Sequence, residues 1–129
     1  MAKKILGYFM FKDLGDGCLG AKYSNTINQR LFGETATRKS DSKIHPTDPF
    51  IATFETSWLD EISVPDSGNQ SILTIQPKPA TIGGQYILRW SHPTINNVYY
   101  YGEGMLCDDN LVGSYWDSSI QELLHNPRS

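Results

Sequence analysis

A nucleophilic cysteine needs a histidine beside it and a third group to orient that histidine. The chain offers Cys18 and Cys107 and three histidines, His45, His92 and His125, all scattered along the sequence. Cys107 is followed by Asp108 and Asp109, whose negative charges oppose formation of a reactive thiolate. His45 and Asp48 are the nearest approach to a ligand pair, but a zinc site needs three or four ligands. Gly15-Asp16-Gly17 opens no helix, so it lacks the N-terminus that would hold a phosphate. The sequence assigns no catalytic residue, no metal ligand and no cofactor.

Two carboxylates remain. Glu55 lies mid-strand and Glu103 lies between two glycines. A carboxylate inside a barrel would hold its proton tightly and could act as a general acid or base. Parity places Glu55 outward, and Glu103 shares a face with Tyr99 and Tyr101. Arg89 could hold an anionic ligand only if its strand were turned round. The aromatic residues make the richer constellation. Trp58, Tyr86, Leu88, Trp90, Tyr100 and Tyr115 are the candidate ligand-binding residues, because pockets are mostly apolar with a few polar tips. The bland alternative is that the same rings simply fill a core.

The stretch Tyr86 to Trp116 must position most of them. It holds two of the three tryptophans and five of the seven tyrosines, in three runs bounded by turn residues. Such runs read as an antiparallel meander. Within the first, Tyr86, Leu88 and Trp90 share a face opposite Arg89 and should point inward. Upstream, Phe50, Ala52, Phe54, Thr56 and Trp58 form a second inward set with a period of two. Lys4 to Phe11 reads as a strand buried on both faces, entering a hairpin at Gly15-Asp16-Gly17 with Cys18 to Tyr23. Leu31 to Arg38 alternates, with Phe32, Glu34, Ala36 and Arg38 on one face. Ser71 to Gln76 is another strand, flanked by a turn at Pro65-Asp66-Ser67-Gly68 and a loop over Pro77 to Gly84. Gly102 and Gly104 suggest a bulge or barrel corner. Ser119 and Glu122 are spaced as a capping box for a short closing helix.

The fold expected is all-β: a closed antiparallel up-and-down barrel of about eight strands with a short C-terminal helix, residues 1–129 forming one domain. A two-sheet sandwich is the rival. Closure is favoured because the connections read as sequential hairpins. With 39% apolar residues and a net charge of −3 spread evenly, the chain is neither disordered nor equipped with the basic stripe that nucleic acid demands. No apolar stretch is long enough to span a bilayer, so no membrane partner is expected. The run after Lys3-Lys4 is too short for a signal peptide, and the chain reads as cytoplasmic, with reduced cysteines. Asn69-Gln70-Ser71 fits a glycosylation pattern that matters only on secretion.

Tyr-Tyr-Gly-Glu-Gly-Met, an acidic turn and Leu-Val-Gly-Ser-Tyr-Trp, together Tyr100 to Trp116, resemble the late strands of small bacterial lipocalin-like (calycin) barrels of unassigned function. Asp16 to Tyr23 is similar to the early hairpin of avidin-type barrels. The glycine and tryptophan that usually open a lipocalin are absent, since Tyr8 and Phe9 follow Gly7. The resemblance implies a barrel holding a small apolar molecule, and it carries over no residue role. Three functional expectations follow: a non-enzymatic binder of a small apolar ligand, a cofactor-independent isomerase or cyclase with a carboxylate or histidine in its cavity, or a homodimer formed through exposed Tyr99 and Tyr101.

Overall fold

A computed structural model describes residues 4–27, 30–58, 70–79 and 84–125. Eight strands close into one antiparallel barrel: β1 (Leu6–Gly15), β2 (Cys18–Asn25), β3 (Phe32–Arg38), β4 (Ala52–Trp58), β5 (Gln70–Pro77), β6 (Gln85–Ser91), β7 (Val98–Cys107) and β8 (Asn110–Asp117). Each strand pairs with its neighbour in sequence, and β1 closes the ring against β8 from Leu6↔Trp116 to Phe11↔Leu111. Closure leaves no edge strand among the eight described strands. Turn chemistry sets two of the hairpins. Asp108 and Asp109 both adopt positive φ, at 50° and 68°, as a two-residue hairpin between Cys107 and Asn110 requires. Gly15, Asp16 and Gly17 do the same between β1 and β2.

The barrel is filled through its middle. Phe11, Leu19, Phe54, Leu73, Ile75, Leu88 and Leu111 are each no more than 1% exposed. Both inward sets expected from parity lie inside: Phe50, Phe54 and Thr56 are buried, with Ala52 and Trp58 half-buried, and Tyr86, Leu88 and Trp90 are buried. The hairpin-rich end is plugged by the connection between β3 and β4. Phe50 is buried there, and the Tyr86 hydroxyl donates to the Asp48 carboxylate. Burial, then the Asp48 bond and its charge, push the Tyr86 phenol up.

Two expectations are corrected. β1 is not buried on both faces: Phe9 and Phe11 point inward, while Leu6, Tyr8 and Met10 alternate with them and are exposed. A barrel has one dry side, so even a continuous apolar run must alternate. Gly102 and Gly104 are not a bulge either, because β7 keeps an unbroken register with β8 and, from Gln85↔Met105 to Trp90↔Tyr100, with β6. Both glycines lie at points of close approach. A Cβ on Gly102 would lie 3.0 Å from Trp90 Cζ3. The glycosylation triplet and the turn over 65–68 involve residues outside those described.

The closing helix α1 (Ser118–His125) starts two residues earlier than a Ser119–Glu122 box implies. Its cap is Asp117, whose Oδ1 accepts from the Ile120 backbone N–H at 3.1 Å and from the Ser119 hydroxyl at 2.7 Å. Oδ2 accepts from the Ile5 backbone N–H at 2.8 Å, tying the helix start to the N-terminal strand. Burial pushes this carboxyl up, but the hydrogen bonds from the Ser119 hydroxyl and the Ile5, Ile120 and Ser119 backbone N–H groups outweigh it and hold it below its ordinary value. Its contribution is therefore present above the ordinary aspartate range and lost as pH falls through the lower folded value. Asp117→Ala should cost about 1 kcal/mol, seen as a lower urea midpoint at unchanged slope.

Candidate functional site

Opposite the plugged end, where β2, β4, β6 and β8 finish, the side chains leave a cavity of about 50 Å³. Phe9, Tyr23, Asn25, Glu34, Trp58, Trp90, Tyr100 and Tyr115 line it. The strand register explains the grouping. Phe9 pairs with Tyr23, Glu34 with Trp58 and Trp90 with Tyr100, so three adjacent-strand pairs deliver six of the eight residues to one level. The rings meet at edges and tilts. Trp90 lies 5.9 Å from both Phe9 and Tyr115, and Tyr115 lies 5.6 Å from Tyr100 and 6.2 Å from Tyr23, centroid to centroid. Such contacts each add about 0.5–1.5 kcal/mol beyond their buried area and stiffen the wall. The Asn25 amide donates to the Tyr115 hydroxyl at 3.0 Å. Gly7 makes room for that ring, since a Cβ there would fall 2.5 Å from Tyr115 Cε1.

Glu34 is the one carboxyl among the described residues of this wall and is only 7% exposed. Its Oε2 accepts from Trp90 Nε1 at 3.0 Å, and the Thr56 hydroxyl also bonds the carboxylate. Thr56 is in turn 2.9 Å from the Ser71 hydroxyl, so a buried polar relay stands behind the acid. Among the described residues no lysine, arginine or histidine pairs with it. Burial pushes the carboxyl up to about 7, against the opposing bonds from Trp90 and Thr56. Near neutrality the group is therefore divided between a neutral acid that donates and an anion that accepts.

Four of the six residues singled out from the sequence, Trp58, Trp90, Tyr100 and Tyr115, line this cavity together. Tyr86 and Leu88 do not. β6 runs from the plugged end to the cavity end, so Tyr86 meets Asp48 at the far side and Leu88 is sealed in the middle. Glu103 lies on the outer face and pairs with Lys78 at 2.5 Å, and Glu55 is also exposed. Arg89 points outward. The rings of His45 and His92 serve their own turns: His45 Nδ1 accepts from the Asp48 backbone N–H and His92 Nδ1 from that of Thr94. Tyr99 is half-buried and meets the His92 ring at 5.9 Å. Both cysteines are free thiols outside the cavity. No cluster of three metal-ligating side chains occurs among the described residues, and no helix there is long and apolar enough to cross a membrane.

Sequence reasoning did not single out Glu34, nor the cavity residues Phe9, Tyr23 and Asn25. A charged tip ordinarily marks the wet face, and Glu34 and Arg38 share one parity, so alternation alone does not point Glu34 inward. The usable signal was Phe32 and Ala36 on either side of Glu34, facing a set of glycine and threonines. Compared with family models, curated proteins and solved structures, the chain matches none.

Proposed function

We propose that this barrel binds a small, largely apolar molecule at its aromatic end. One observation carries the reading: the interior is packed solid through its middle yet leaves about 50 Å³ among six rings and one carboxylate. Drug-sized pockets run to about 300–1,000 Å³, so the ligand is either very small or only partly enclosed. One group would enter, and the rest would lie at the rim beside half-buried Trp58 and Tyr100. The protein purified from cells should carry a mass excess in native mass spectrometry that disappears on denaturation. If no excess appears, and small aromatic compounds at millimolar concentration leave the fluorescence of Trp58 and Trp90 unchanged, the proposal fails.

A second reading, a cofactor-independent enzyme of the isomerase or cyclase type, is favoured by the position of Glu34. An acid divided between its two protonation states near pH 7 is matched to general acid–base work. Under that reading a bound compound would leave chemically altered, whereas a binder returns it unchanged.

A further inference from the structure

We infer that the occupant of this cavity carries a protonated amine, whose cationic head sits against the Glu34 carboxylate among the rings of Trp58, Trp90, Tyr100 and Tyr115. The inference rests on the proposed ligand site and names the chemistry of what enters it.

Charge is the first argument. Glu34 is held by two neutral donors, the Trp90 indole and the Thr56 hydroxyl, and neither cancels a negative charge. A buried carboxylate without a cation among the described residues is an expensive feature in a small barrel, and burial has already set it apart from bulk water. An ammonium group arriving there meets an acceptor that needs no further desolvation. The walls provide the second argument. Around Glu34 the cavity is lined by the phenols of Tyr23, Tyr100 and Tyr115, the Asn25 amide and the indoles of Trp58 and Trp90, with no cationic side chain among the described lining residues. Aromatic faces are negative and attract cations lying within about 6 Å of the ring centre. Size is the third. A space of about 50 Å³ admits a head group rather than a whole molecule, and it keeps that head in contact with the walls.

A neutral carbonyl compound is the competing occupant, because protonated Glu34 could donate to it. The two differ in the sign of their pH dependence. An ammonium needs the anion, so its affinity falls about tenfold for each unit below pH 7, while a carbonyl compound binds better there.

The test uses the whole protein, stripped of any ligand by unfolding and refolding, with benzylamine and benzyl alcohol as matched probes. Binding is followed by the NMR shifts of the indole N–H groups of Trp58 and Trp90. At pH 8 benzylamine should bind at least about tenfold tighter than the alcohol, the scale of a charge-assisted bond. That preference should shrink on going to pH 6 in the unmodified protein and vanish in Glu34→Gln. Equal affinity for both probes, or tighter amine binding at pH 6 than at pH 8, overturns the amine while leaving the ligand site standing. If neither probe shifts the indoles, both are overturned.

Discussion

Replacing Glu34 with glutamine is expected to stabilise the ligand-free protein at pH 8 by roughly 3 kcal/mol and to leave it unchanged at pH 4. The sign comes from proton counting. The carboxyl is raised from 4.5 to about 7 in the folded state, so between those values the native protein binds more protons than the unfolded chain. Stability then falls as pH rises through that window, by about 1.4 kcal/mol for each unit of difference. Glutamine removes the titration while keeping an oxygen for Trp90 Nε1 and the shape of the side chain. Urea melts at several pH values measure the effect. A variant less stable than the parent at pH 8 would mean that the carboxylate has a cation beside it in solution.

Gly113→Ala should cost about 3 kcal/mol, at the upper end of what overpacking usually costs. A Cβ at this position would lie 2.0 Å from the Glu103 carbonyl oxygen and 2.6 Å from the Gly104 Cα. Both are backbone atoms of the paired strand, so no side chain can turn aside. β7 and β8 would have to part at Gly104↔Gly113, and in a closed ring that opening is passed to every other strand pair. Gly33→Ala is the control, because its nearest neighbour is the Ala21 carbonyl oxygen at 3.9 Å. It should fall within about 0.5 kcal/mol of the parent. Similar losses from both glycines would remove the close-approach explanation.

The strands were legible because alternation and turn chemistry agree along most of the chain. Phe54 and Thr56 on β4, like Leu88 and Trp90 on β6, point inward as their spacing demands. Closure was legible from the hairpin order, though the Leu6↔Trp116 pairing that seals it spans the whole chain and leaves no local mark. The site was half legible. Aromatic type named the right kind of wall, but depth along a strand is not written in parity: Tyr86 and Trp90 share a face and lie at opposite ends. Glu34 stayed hidden for a different reason. What makes a buried acid tolerable is an indole N–H from three strands away, a partner that only the closed register supplies. The exposed side of β1 misled for the converse reason, since Tyr8 and Met10 look like core residues and stand outside it.

The packed middle makes the barrel a cup rather than a tube. Phe11, Phe54 and Leu88 separate the aromatic end from the Tyr86–Asp48 plug, so nothing passes from one end to the other. A molecule bound at the aromatic end would have to enter and leave by the same rim. The sealed base is correspondingly spare. A tag or a surface linker grafted at the Asp108–Asp109 tip would hold the protein upright with its mouth unobstructed.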